Sequence, residues 1–194
     1  MARLTREQSR AQTRQRIIDA AAELFTERGV NGASLEQIAE RAGYTRGALY
    51  GNFADKHELV LALLTERTRR EAEEVRQLGD DFEAAAEQLR AWNRDRATRL
   101  REWMALRLEL ILYALRHPDR APDVREREEY ARRLIERGVT ANAPDADASM
   151  LALIIHALED GLLIQHLLAP DAVPADVTVD AVEYLLRLAR SNPA

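Results

Sequence analysis

Cysteine is absent from the 194 residues, which excludes disulfides, thiolate metal sites and cysteine nucleophiles. Lysine is almost as scarce: Lys56 stands alone against 27 arginines. No unbroken run of about 18 apolar residues occurs, so the sequence predicts no membrane span. Residues 1–16 are polar and basic and lack the apolar centre of a secretory signal, and a cytoplasmic protein is the expectation. There is no glycine-rich phosphate loop, no H-E-x-x-H pair and no nucleophile elbow. The four histidines, His57, His117, His156 and His166, are scattered. His156 and His166 would lie about 15 Å apart along one helix and cannot share an ion. These absences predict no enzyme activity, no metal and no cofactor.

What is present describes a globule with one distinctive end. Apolar residues make up 46% and charged residues 31%, enough of each for a folded, solvated chain. The net charge of −5 is unevenly spread. Residues 1–56 carry nine basic and seven acidic side chains, whereas 57–194 carry 19 basic and 26 acidic. At the very start Arg3, Arg6, Arg10, Arg14 and Arg16 face only Glu7. An acidic protein with a basic leading segment suits one end that meets a polyanion. The plainer reading is an arginine-rich composition.

Apolar residues recur at three- and four-residue spacings with Gly and Pro between the periodic segments, which predicts an all-α chain. A first helix is expected over 8–28, with Ile17, Ala20, Ala21, Leu24 and Phe25 inward and Gly29 as its stop. A long helix capped by Asp55 is apolar from Leu59 to Leu64 and charged from Glu66 to Arg76, the pattern of a connector. Further helices are expected at about 81–98, 100–116, 122–137, 146–168 and 176–190, with prolines in or near the breaks. Two of them, around 103–115 and 151–168, are apolar on most sides. Each must lie in the centre of its domain or meet another subunit.

The most informative segment is 34–53, SLEQIAERAGYTRGALYGNF. Ser34 followed by Gln37 forms a capping-box pattern. Leu35, Ile38 and Ala39 supply an inward face, and Gly43 suits a turn that needs positive φ. Thr45 caps a second short helix. This spacing predicts a helix-turn-helix. Gly47 and Ala48 are small enough to let a backbone enter a groove, and Thr45, Arg46 and Tyr50 can reach phosphates or base edges.

Residues 13–64 resemble the N-terminal domain of the TetR family of repressors. The pattern T-R-x-x-I-x-x-A-A-x-x-L-F-x-x-x-G runs from Thr13 to Gly29, and S-L-x-x-I-A-x-x-A-G-x-T-R-G-A-L-Y-x-x-F-x-x-K from Ser34 to Lys56. Met1-Ala2-Arg3 and the Thr45–Ala48 stretch are most similar to multidrug-efflux repressors of that family. Asn52 departs from the pattern, which often has histidine there. The resemblance implies a helix-turn-helix domain, 1–56, and a helical ligand-binding and dimerisation domain, 57–194. It also implies a homodimer on a palindromic double-stranded DNA operator, released by a small-molecule effector.

Carried over residue by residue, the DNA contacts are Tyr44, Thr45, Arg46, Gly47 and Tyr50, with Asn52 able to meet a phosphate. Lys56 is expected on a phosphate, and Ser34 is a cap that also aims backbone N–H groups at one. In the body, Trp103, Arg107, Tyr113, His156 and Asp160 interrupt apolar helices and are candidates for an effector pocket. The penultimate helix offers Leu158, Gly161, Leu162 and Gln165 to a partner, and the last helix Val182, Leu185, Leu186 and Ala189. Gly161 costs its helix about 1 kcal/mol relative to Ala, which a close helix approach would offset. An enzyme and a helical adaptor without DNA binding are the competing readings.

Overall fold

The computed structural model describes residues 5–79 and 81–191, and among these it is all-helical. The helices are α1 (Arg6–Gly32), α2 (Leu35–Arg41), α3 (Arg46–Tyr50), α4 (Lys56–Gln77), α5 (Phe82–Ala97), α6 (Leu100–Arg116), α7 (Ala121–Asn142), α8 (Ala148–Leu168) and α9 (Val177–Ser191). A 3-10 turn, Pro118–Arg120, separates α6 from α7. The expected stop at Gly29 is visible inside α1: Gly29 leaves helical geometry at φ 70°, and Val30 to Gly32 form a separate short extension.

The chain divides into two compact units, Met1–Arg67 with Ala105–Ala121, and Thr68–Met104 with Pro122–Ala194. A division at 56/57 follows the motif. The contacts instead assign the first half of α4 and most of α6 to the first unit.

In the first unit α1, α2 and α3 pack on one another. Ile17, Leu24, Ile38, Leu49, Phe53, Leu59 and Val60 are its fully buried large side chains. Asp55 accepts from the Glu58 backbone N–H at 2.8 Å, the predicted cap of α4. Arg41 joins Glu27 at 3.0 Å and Glu23 at 3.1 Å, tying α2 to α1. The C-terminal half of α6 meets the start of α4: the Tyr113 ring stacks on His57 with centroids 3.3 Å apart, and His117 follows at 4.2 Å. Arg120 pairs with Asp55 at 2.8 Å.

Among the described residues, apolar clusters tie the helices of the second unit together. Ala85, Ala86, Leu89 and Val179 join α5 to α9. Val139, Ala143, Ile155 and Leu186 join α7, α8 and α9. Leu100, Met104 and Leu163 join the start of α6 to α8. Arg90 reinforces the α5–α9 contact by pairing with Asp180 at 2.8 Å and Glu183 at 3.0 Å.

The apolar faces of α8 and α9 differ in how far the chain itself covers them. By length and composition α8 is apolar enough to cross a membrane, with mean hydropathy 1.5 over 18 residues. A search for unbroken apolar runs passes over it because His156, Glu159, Asp160 and Gln165 interrupt the helix. Only 22% of that window is buried, and Met150, Leu153, Ile154, Leu158 and Leu168 are exposed. On α9, the stripe expected at a dimer interface is used within the chain. Leu186 is buried, and Val182, Leu185 and Ala189 pack against its cluster. The exposed apolar residues of α9 are Tyr184 and Leu188.

Candidate nucleic-acid interface

Local chemistry sets the shape of the interface. Ser34 Oγ accepts from the Gln37 N–H at 3.2 Å, while Gln37 Oε1 accepts from the Ser34 N–H at 3.0 Å. This reciprocal pair satisfies donors that the first turn of α2 leaves open. Gly43 adopts φ 75°, and a Cβ there would meet nothing within 4 Å. Its requirement is therefore conformational rather than steric. The turn closes through Tyr44 N–H to the Ala39 carbonyl at 2.9 Å. Thr45 Oγ1 then accepts from the Ala48 N–H at 3.2 Å and starts α3.

The outer face of α3 carries Thr45, Arg46, Gly47 and Tyr50, all exposed, with Tyr44 half-buried beside them. The Arg46 guanidinium lies 5.3 Å from the Tyr50 ring centroid and 3.2 Å from Glu36. Both partners favour the charged form, so Arg46 is held above the ordinary arginine range. Arg46 and Tyr50 thus form a pre-aligned cationic and aromatic pair on the surface. A Cβ on Gly47 would approach Thr45 Oγ1 at 3.8 Å, an ordinary contact. The subunit's own packing therefore does not require glycine at 47.

Two predicted contacts are engaged inside the unit. Asn52 is half-buried, and its Nδ2 donates to the Ala48 carbonyl at 2.8 Å. Its Oδ1 is buried with no hydrogen-bond partner among the described residues. The side chain turns back onto α3. Lys56 Nζ donates to the Val30 carbonyl at 2.9 Å, closing the irregular end of α1. A lysine has three donors, so this bond leaves donors for a phosphate.

Sequence reasoning missed the use made of the N-terminal arginines. Arg14 donates to the Asn52 carbonyl at 2.9 Å and lies 4.2 Å over the Phe53 ring. Arg10 reaches the Gly51 carbonyl at 3.4 Å. Two cations thus meet the carbonyl end of α3, where the helix dipole is negative. Arginines four residues apart on α1 were the available signal. Their partners, about 40 residues away, were not. Arg3 lies outside the described residues.

Each unit engages some of the pocket candidates in contacts of its own. Tyr113 belongs to the His57–His117 stack of the first unit, which also contains Arg107. In the second unit, which contains Trp103, His156 Nε2 lies 3.1 Å from Glu128 and 3.8 Å from Asp160. Glu128, on α7, was not foreseen, because 28 residues separate it from His156. A groove of about 480 Å³ in this unit is lined by Glu129, Arg132, Glu136, Asp147, Met150 and Leu153, among others, and by none of the candidates.

Of the dimer candidates on α8, Leu158, Gly161 and Gln165 are exposed and Leu162 is half-buried. A Cβ on Gly161 would meet nothing within 4 Å, so no close approach inside the chain explains that glycine.

Two capped helices, a positive-φ turn and an exposed polar face on the second helix define a helix-turn-helix protein. The bacterial regulatory protein model of the tetR family matches residues 17–63, and the C-terminal model of BetI-type transcriptional repressors matches 83–190. The chain belongs to the TetR family, whose members are transcription regulators and not enzymes. It is 32% identical to the transcriptional regulator TtgR of Pseudomonas putida, over 100% of this chain and 99% of that one. A shorter match to SrpR of Pseudomonas putida is 55% identical over 56 residues, 29% of this chain and 26% of SrpR. Among solved structures, SmeT, repressor of the Stenotrophomonas maltophilia efflux pump SmeDEF, is 27% identical, covers 91% of each chain and has a TM-score of 0.59. The multidrug binding protein EbrR complexed with proflavin is 26% identical, covers 89% of this chain and 99% of that one, also at 0.59.

Proposed function

We propose that this regulator is a ligand-responsive repressor that binds a palindromic operator as a homodimer in the cytoplasm. The observation that carries the reading is the outer face of α3. Thr45, Arg46, Gly47 and Tyr50 are exposed together, and Gly47 is smaller than the subunit's own packing requires. A helix whose backbone enters a major groove needs such a surface. The apolar face left open on α8 and α9 supports pairing with a second copy. A two-fold dimer would present two α3 helices to two half-sites.

Ligand response is supported by two similar structures, one of a repressor of a multidrug efflux pump and one of a multidrug binding protein complexed with proflavin. Coupling would run along α4, whose 22 residues extend about 33 Å from Lys56 into the second unit. A small tilt at the far end would change the separation of the two α3 helices. The effector must bind the released state better, or it shifts nothing. By linkage, operator DNA would weaken effector affinity by the same factor.

A mobility-shift titration on the DNA upstream of the protein's own gene tests the reading, with stoichiometry measured on the shifted species. Two chains per duplex are expected. No shift at any protein concentration would sink the DNA-binding reading, and one chain per site would sink the dimer.

A further inference from the structure

Glu128, His156 and Asp160 each offer one ligand atom, and these atoms all lie within 4.8 Å of one another. We propose that they form a binding site for a borderline divalent transition-metal ion, Zn2+ before the others, inside the regulator body. This inference does not depend on the repressor reading.

His156 and Asp160 stand four residues apart on α8, so helix geometry puts them on one face. Glu128 approaches them from α7. Imidazole and carboxylate donors sit about 2.0–2.2 Å from Zn2+, so two donors on one ion lie roughly 3–4 Å apart. The His156–Glu128 and His156–Asp160 separations, 3.1 and 3.8 Å, already fall there. The side chains of His156, Glu128 and Asp160 are 12%, 22% and 33% exposed, open enough for an ion and water to enter and closed enough to limit screening.

A neighbouring arginine sets the orientation of the glutamate. Arg127 Nη1 donates to Glu128 Oε1, and Arg127 Nη2 donates to Thr68 Oγ1 at 3.0 Å. Glu128 Oε2 is thereby left turned to His156. Outer partners that fix a ligating carboxylate in this way usually accompany metal sites. One nitrogen with two carboxylate oxygens suits a borderline ion and leaves coordination positions for water or an exogenous ligand. Mg2+, which demands near-ideal octahedral oxygen ligation, fits the set poorly.

Full-length protein is titrated with Co2+, whose absorption reports nitrogen and oxygen ligation, and with Zn2+ by calorimetry. His156→Ala, Glu128→Gln and Asp160→Asn are titrated in parallel, and circular dichroism identifies those that keep wild-type helicity. The expected result is one ion per wild-type chain, with affinity about tenfold or more lower in each folded variant. The two amide variants preserve side-chain volume, so they decide the matter even where His156→Ala does not fold. Wild-type protein that binds neither ion overturns the proposal. So do variants that bind as wild type does, because the ion would then sit elsewhere, for example at His57 and His117.

Discussion

Lys56 Nζ donates to the Val30 carbonyl at 2.9 Å, so the only lysine of the chain fastens the start of α4 to the irregular end of α1. The bond spans 26 residues and is partly buried. Lys56→Ala should therefore lower stability by about 1.5 kcal/mol, the scale of a hydrogen bond to a charged group. It should also lower the salt slope of DNA binding by about one, through loss of a phosphate contact by the remaining donors. Thermal melts and salt-dependent binding report the two effects separately. An unchanged salt slope would confine Lys56 to the fold.

Gly47 separates fold from function more cleanly. Its Cβ would make only an ordinary contact, at 3.8 Å from Thr45 Oγ1. Gly47→Ala should leave the melting temperature equal or slightly higher, because alanine favours helix. DNA affinity should nevertheless fall, since the added methyl stands where α3 approaches the groove. Wild-type DNA affinity in a folded Gly47→Ala protein would contradict the proposed docking face.

Gly161 makes the corresponding test for the dimer. Inside the subunit nothing lies within 4 Å of its would-be Cβ, and Leu158 and Gln165 flank it on the exposed side of α8. Gly161→Leu should keep the helical fold and lose the dimer. Sedimentation of wild type at micromolar concentration should give about twice 22.0 kDa, and the variant should approach 22.0 kDa. A wild type that stays monomeric at high concentration would refute the interface.

His57 predicts a pH response. Burial against Tyr113 is the largest influence and holds its pKa below 6.5; Asp55 opposes this, while His117, Lys56 and Arg120 add to it. In the unfolded chain His57 protonates near 6.5, so below that pH the unfolded state binds more protons than the folded one. The contribution is present above 6.5 and is lost as pH falls through the folded value. Wild-type melting temperature should drop more between pH 7.5 and 5.5 than that of His57→Phe, which keeps a ring on Tyr113. Parallel pH profiles for the two proteins would rule this out.

Much of the fold was legible because its signals are local. The caps at Ser34, Thr45 and Asp55 and the breaks at Gly29 and Gly43 are set by neighbours within a few residues. What was illegible depends on long separations. Arg14 finding the Asn52 carbonyl, Glu128 finding His156 and His57 finding Tyr113 leave no periodic trace. The α9 stripe shows a different limit: periodicity identifies an apolar face, but Leu186 and Val182 could face α7 and α8 or a second subunit with the same pattern. Asn52 was legible as a departure from the family pattern, but not as a side chain folded back onto Ala48.

Sequence-specific binding through α3 is the central claim, and fluorescence anisotropy tests it most directly. Wild type and Tyr50→Ala are titrated against a duplex from upstream of the gene and against an unrelated duplex of equal length, at one fixed salt concentration. Wild type should prefer the upstream duplex by about a thousandfold or more, the scale of specific over non-specific binding. Tyr50→Ala should lose much of that preference while keeping its helicity. Equal wild-type affinity for the two duplexes, or an undiminished preference in Tyr50→Ala, would contradict the account.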